Sequence, residues 1–548
     1  MLLCKIWKMK KNKIIFLFLI VATLFSSCDS MLDLKPEDSV SKEAFFNTQK
    51  DFELALNGLY SSLRSINGNK CGIEGTYGGD LFWEVCADVM YYKNSFTHPW
   101  FDISSGNMNP NTINIGFIWE RGYYTINWAN TIIEQLEVKK DIIDPEFAKQ
   151  VAGEAHFIRA IAYLRLTSIY GAVPLIDRIL TPAESKLPRT SVNDITNKLI
   201  VPDLDIAIAN LGELPYQKKW GKATKQAAMG MKVRALLYNK DYQGTVAAAN
   251  LLMEFEKVSI VEFGSDYAKI FANNNENNGE ILFSIKYLAG GFKQGGSFAT
   301  PFGPKKIPTL SAASANVNGS WSTSTIAPEF IDSYYMKDGL PASQSPLFLS
   351  SSPWSNRGAR FESTFYIGGF SKFSNGVAFT STMVGVNALS DYVSKYPFNV
   401  NKGYMNEDVK LSWLDEDESD FIILRYTDVL MMYAEAKTEL NQINDTVYNI
   451  MNMVRTRAGV APIPSNLSQD EMRNAIRLER KLEFAFEGLR YFDIRRWGIA
   501  EEEFNAIASD KVYSFGSVKS FKSSNYLWPI PQSAIDVNPN LSPNNPGY

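Results

Sequence analysis

Histidine is almost missing from this 548-residue chain: only His98 and His156 are present. A Ser-His-Asp or Cys-His device would have to use one of them, and no GxSxG elbow accompanies either. HExxH, the P-loop and the dinucleotide-binding glycine fingerprint are absent too, and GKAT at Gly221 lacks the preceding glycine and loop of a phosphate-binding turn. Cysteine is sparse, four residues in all, with no CxxC and no nearby histidine to complete a zinc site. The expectation is therefore no catalytic residue, no metal and no cofactor. Basic charge is in deficit, 55 Lys and Arg against 59 Asp and Glu. That balance argues against nucleic acid, whose phosphates demand a basic surface.

A membrane-spanning run is lacking at the front of the chain. Ile14 to Phe25, interrupted only by Thr23, is shorter than the roughly 20 apolar residues that cross a bilayer. Behind Lys10, Lys11 and Lys13 it suits a secretory signal instead. Small Ser26 and Ser27 follow, then Cys28, and this ending resembles the lipobox of bacterial lipoproteins, although Phe25 stands where Leu is commoner. The reading is a signal peptide over residues 1–27, lipidation at Cys28 and a membrane anchor through it. The plainer alternative is a secreted protein with a chance cysteine. Met9-Lys10-Lys11 also looks a more natural start than Met1. Removing residues 1–27 takes away five lysines and no acids, leaving 50 basic against 59 acidic side chains, a net charge of −9. Cys71 and Cys86 remain, either paired in an oxidising compartment or held as two buried thiols.

Residues 28–45 are polar and acidic and read as a tether. Helical periodicity begins in DFELALNGLY, with Asn47 or Thr48 as its cap. It returns at 115–136, 145–170, 192–211, 224–239 and 242–255. The segment from Ala223 carries small residues at AxxxA spacing and a hinge at Asn239-Lys240-Asp241, in the manner of a tetratricopeptide-type helix pair. From about Asn273 to Asn401 the chain turns rich in Ser, Gly, Asn and Pro, and no long amphipathic period survives. Helix resumes near Arg425. The proline-rich tail from Tyr526 is expected to wrap the surface. The expected order is a helical frame over 46–270, an irregular insertion with short strands over 271–420, and C-terminal helices with a tail over 421–548.

Several blocks carry a family resemblance: EAHFIRAIAYLRLTSIYGAVPLI from Glu154, GKATKQAAMGMKVRALLY from Gly221, ILRYTDVLMMYAEA from Ile423, MNMVRTRAG from Met451, RLERKLEFAFEGLRYFDIRRWG from Arg477 and the NPGY ending. With the lipobox and the first helix they span almost the whole chain. In this the sequence resembles the SusD/RagB family of Bacteroidetes surface lipoproteins. Departures are His156 where Arg is common, Ala534 where Glu is common, and a variant ending. The resemblance implies a mainly α fold of tetratricopeptide-like pairs in a right-handed helical frame with an irregular loop and short-strand insertion. It implies no enzyme activity. It also implies a lipid-anchored outer-membrane protein, exposed on the cell surface, that captures an oligosaccharide and delivers it to a SusC-like TonB-dependent transporter. A peptide or glycopeptide cargo is the alternative, and a surface glycosidase a remoter one, needing two carboxylates roughly 5–9 Å apart across a cleft.

The Arg477 block reads as structural. On one helix Leu478, Leu482, Ala485, Leu489 and Phe492 would form an apolar stripe, while Arg480, Glu483, Glu487 and Arg490 would form ion pairs three or four residues apart. Nearby arginines would keep Glu483 and Glu487 ionised, unfit for acid catalysis. Sugar binding needs exposed aromatic faces on loops, with polar partners for hydroxyls. Trp100, Trp321 and Trp354 lie in turn-rich surroundings, and Tyr91, Asn94 and Tyr287 accompany them. These six are the expected ligand-binding residues.

Overall fold

The computed structural model describes residues 45–64, 81–92, 100–213, 221–272, 275–288, 324–372, 376, 378–380, 397–403, 419–508 and 519–548. The signal segment, Cys28, the tether up to residue 44, Cys71, Asn94, His98 and Trp321 lie outside them. By its internal contacts the chain divides into two units, residues 1–52 and 53–548. Of the first, only a helix start is described: the Asp51 carboxylate accepts from the amides of Asn47 and Thr48, and Phe46 packs on Phe52.

The principal helices are α1 Gln49–Ser61, α2 Ile113–Val138, α3 Pro145–Tyr170, α4 Val201–Asn210, α5 Lys225–Tyr238, α6 Tyr242–Met253, α7 Tyr426–Glu439, α8 Asp445–Arg457, α9 Gln469–Glu483, α10 Arg490–Arg496 and α11 Ala500–Ala508. Their starts follow from capping chemistry, in which a side-chain oxygen takes an otherwise orphaned amide of the first turn. Asp144 caps α3, with Pro145 at the first helical position, Thr224 caps α5, Asp241 caps α6 and Asn444 caps α8. Ser468 and Glu471 form a capping box at α9. The turn between α5 and α6 falls on Asn239–Asp241, with Lys240 left-handed at φ +62°. Successive helices pack as neighbours: α2 on α3, α3 on α4, α4 on α5, α5 on α6, α6 on α7, and α7 on both α8 and α9. Small residues set the spacing. A Cβ on Gly122 would lie 2.6 Å from Leu166 Cδ2, and one on Gly230 would lie 2.6 Å from Leu424 Cδ2.

The strands are short and pair antiparallel in two-stranded ribbons. They are β1 Met90–Tyr92 with β3 Ser324–Ile326, β2 Ile281–Ile285 with β6 Phe421–Arg425, and β4 Phe365–Ile367 with β5 Phe398–Val400. The β2–β6 ribbon brings the two ends of the insertion together, and β6 runs straight into α7. The chain is thus predominantly helical, with few short strands, as expected. Short helices at Pro328–Asp332 and Ala359–Thr364 also stand in the region read as loops and strands.

Three expectations are corrected. The Arg477 block is not one helix: α9 ends at Glu483, Phe486 and Gly488 turn left-handed at φ +62° and +73°, and α10 starts at Arg490. The tail does not merely wrap the surface. Trp528 and Ile530 are fully buried, and Trp528 Nε1 donates to the Tyr491 hydroxyl at 2.7 Å. Trp100 is 1% exposed. Its ring stacks on Phe82 and meets Trp83 and Trp528 edge-on. Turn-rich flanks at Trp100 mark the approach to an aromatic core, because burying so large a ring outweighs local polarity.

Candidate functional site

Two features dominate the chemistry: a buried charge network and an open cleft. The network gathers Arg360, Lys402, Arg425 and Arg457 around Glu280, Glu479, Glu483 and Glu487, all nearly inaccessible. Glu483 takes ion pairs from Arg360 at 2.8 Å, Arg425 at 2.9 Å and Arg457 at 2.7 Å. Glu487 takes them from Lys402 at 2.5 Å and Arg425 at 2.8 Å. Arg480 pairs with Asp428 and Asp493, and Arg490 with Asp88 and Glu503. The four residues expected to pair along one helix therefore pair with other elements: the chain breaks between Glu483 and Arg490, and Arg480 and Glu483, though both on α9, are each taken up by partners from elsewhere.

Burial alone would raise the Glu483 carboxyl, but Arg457, Arg425 and Arg360 outweigh it and hold it well below the usual range. Asp428 is likewise brought down to about 2, with Arg480 and Arg234 overcoming burial. Burial presses Lys402 down to about 8 despite Glu487. A carboxylate held ionised in this way cannot donate a proton to a leaving group near neutral pH. The network joins β2, β6, α8, α9 and the insertion, and it fastens the frame.

The cleft, of about 270 Å³, opens where α1 ends. Asn57, Tyr60 and Ser61 from α1 and Arg64 just beyond it form one wall, Gly221 and Lys222 before α5 a second, and residues 283–286 of β2 and its exit the floor. The walls are fixed to each other: the Ala223 amide donates to the Tyr60 hydroxyl at 2.8 Å, one residue before the Thr224 cap. Gly221 sits at φ +78°, and a Cβ there would come within 2.5 Å of Lys286 Cγ, so only glycine lets the Lys286 stem cross. Lys286 is ion-paired to Asp420 behind the floor and donates to Asn277 at 2.9 Å. No acidic side chain lines the cleft among the described residues.

Of the expected ligand residues, Tyr91 is buried, with its hydroxyl donating to the Ile507 carbonyl at 3.2 Å. Trp100 belongs to the core. Tyr287, 9% exposed, follows the cleft floor. Trp354 is half-buried elsewhere in the insertion, edge-on to Phe398 and stacked on Phe361. The described members therefore do not converge on one platform. Cys86 is a buried free thiol that burial pushes up to about 12. His156 sits on Asp203 at 2.6 Å, beside Arg159, between α3 and α4. Sequence reasoning did not single out Tyr60, Arg64, Lys222 or Lys286: the first three lie in or beside stretches whose periodicity reads as frame, and Lys286 lies in the insertion, where aromatics rather than cations are the expected ligand residues. The run KKWGK was the available signal, a basic cluster in an acidic chain.

Comparison with known proteins now adds to this geometry. The sequence pattern of the SusD family matches residues 279–548, and one described as "Starch-binding associating with outer membrane" matches residues 31–237. The chain belongs to the SusD family. A SusD-like protein of Formosa agariphila is 27% identical over 97% of both chains, and one of Bacteroides ovatus is 24% identical over 87% of this chain and 82% of the other. A solved SusD-like carbohydrate binding protein of Bacteroides fragilis shares 27% identity at a TM-score of 0.75, covering 91% of this chain and all but 1% of that one. A laminarin binding SusD-like protein shares the fold at a TM-score of 0.68 and 19% identity, over 92% of this chain and 100% of its own. The SusD assignment associates the chain with the outer membrane.

Proposed function

We propose that this protein captures an oligosaccharide at the cell surface, holds it without chemistry, and hands it to a SusC-like TonB-dependent transporter while tethered through acylated Cys28. The observation that carries the reading is the cleft between α1, the approach to α5 and β2. Its volume of about 270 Å³ falls just below the roughly 300 Å³ at which small-molecule sites begin. It therefore suits one or two sugar units of a longer chain lying across it. The ring of Tyr60 offers a face for sugar C–H groups, and Asn57, Ser61 and Arg64 offer hydrogen bonds to hydroxyls. Supporting the same reading, SusD-like relatives are named for carbohydrate and laminarin binding. The buried glutamates are committed to arginines, and no catalytic role is assigned to them.

Purified protein incubated with a panel of oligosaccharides is expected to retain at least one of them, with no shortened product on chromatography. Turnover of the retained sugar would favour a glycosidase instead. Retention of peptides with no sugar retained would favour the peptide-binding alternative.

A further inference from the structure

One loop of the insertion exposes apolar side chains without any charge. Between Asp338 and Arg357 the chain reads GLPASQSPLFLSSSPWSN, with no charged residue, in a protein of which 21% is charged. Leu340, Leu347, Phe348 and Leu349 are between 36% and 47% exposed there. The last three form the one run of consecutive exposed large apolar side chains among the described residues. The loop is closed at its neck, where the Lys337 amide donates to the Asn356 carbonyl at 2.9 Å. The neck is tied to the frame by the Ala461 amide, which donates to the Lys337 carbonyl at 2.9 Å. Within the loop, the Ser345 hydroxyl donates to the Asp338 carboxylate at 2.6 Å and accepts from the Leu347 amide at 3.1 Å. The Phe348 amide donates to the Ser345 carbonyl, the Asn356 side chain to the Leu347 carbonyl, and the Ser352 amide to the Leu349 carbonyl. The crest therefore turns its apolar side chains outward while its backbone is engaged from inside.

That combination decides between occupants. A protein partner is held in register by directional hydrogen bonds and charges around its contact, and a sugar by aromatic faces with polar groups beside them. The crest carries no charge and one aromatic ring, and Trp354 is turned inward against Phe361 and Phe398. What it offers is non-directional apolar burial. The hydrocarbon of a bilayer accepts such a surface with no charge to desolvate, provided that the entering backbone already has its hydrogen bonds. Ser343, Gln344, Ser350 and Ser351 stand exposed and uncharged on either side, a composition suited to the headgroup level. Charges at the neck balance, with Lys337 next to Asp338 and Asp332 within electrostatic reach of Arg357. The chain from Cys28 to residue 44 reaches at most about 60 Å, so the anchor does not oblige the start of α1 to be the face that meets the membrane.

We propose that the 337–356 loop is a membrane-contact site, whose Leu347, Phe348 and Leu349 enter the edge of the lipid hydrocarbon and fix how the tethered protein stands on the outer membrane. This rests on the anchored, cell-surface part of the reading above and is independent of the cargo.

The test takes the mature chain, residues 28–548, as Cys28→Ala, so that no acyl chain contributes. Its flotation with phosphatidylethanolamine–phosphatidylglycerol vesicles is compared with flotation on phosphatidylcholine vesicles, at low and high salt. Partition onto both is expected, insensitive to salt. It should weaken about tenfold or more in the triple variant Leu347→Ser, Phe348→Ser, Leu349→Ser, with an unchanged unfolding midpoint. Leu349→Glu is expected to act in the same direction, and it decides the question should the triple variant fail to fold. No flotation, or equal flotation of parent and variants, would overturn the proposal. So would binding that needs phosphatidylglycerol and disappears at high salt, since charge would then carry the contact. A dimer in sedimentation that the triple variant dissolves would assign the crest to a second copy and overturn it as well. An oligosaccharide retained by the parent and lost by the triple variant would assign it to cargo, with the same consequence. Acylation is read separately, from the mass of the N-terminal peptide of membrane-extracted protein, so that an absent anchor and an inert loop are told apart.

Discussion

Glu483 shows what a single residue does here. Three arginines from three elements converge on one carboxylate that has no access to water. Removing it strands several buried cations, so Glu483→Ala is expected to lower unfolding stability by about 3–5 kcal/mol, read as a fall in midpoint by denaturant titration. An unchanged midpoint would mean that the network is not what fastens the frame. The same residues set the response to acid. Glu483 and Asp428 titrate below their ordinary values of 4.5 and 3.8. Their contribution is therefore whole above those values and lost as pH falls below them, for Asp428 through about 2. Asp428 alone accounts for about 2 kcal/mol of that loss. The charge types and their commitment to structure were legible from the sequence, but their partners were not, since spacing along a chain reports only neighbours within one helix.

At the scale of elements, periodicity revealed most of the frame. The 26-residue α3 begins at Pro145 and ends at Tyr170, where its apolar pattern, N-terminal proline and terminal glycine place it. The failures share one cause. An α9–α10 break at Phe486–Gly488 and a tail that plunges inward at Trp528 are dictated by long-range packing, to which a periodic pattern is blind. The same holds for Trp100, whose surroundings read as a loop. It packs with Trp83 and Trp528, and so joins the short helix at Leu81–Val85 to the tail. Trp100→Ala is accordingly expected to cost about 3–5 kcal/mol of stability and to expose the tail to limited proteolysis. A variant as stable as wild type but unable to bind sugar would return Trp100 to the binding surface.

For the molecule as a whole, labour is divided between an interior locked by ion pairs and a cleft at its margin. The family pattern identified the frame, yet two walls of the cleft come from the frame's own blocks, Tyr60 near the end of a helix and Lys222 ahead of one, while its floor at residues 283–286 belongs to the insertion. Composition pointed to the insertion's tryptophans because exposed aromatics are the conspicuous sugar-binding residues. The cleft instead combines one tyrosine with cations and amides whose neighbourhood only the fold creates. The most direct measurement is hydrogen–deuterium exchange of the full mature chain with and without a retained oligosaccharide. Slower exchange on binding is expected in residues 57–64, 221–224 and 286–288. Protection confined to the surroundings of Trp354, with those three segments unchanged, would contradict the account.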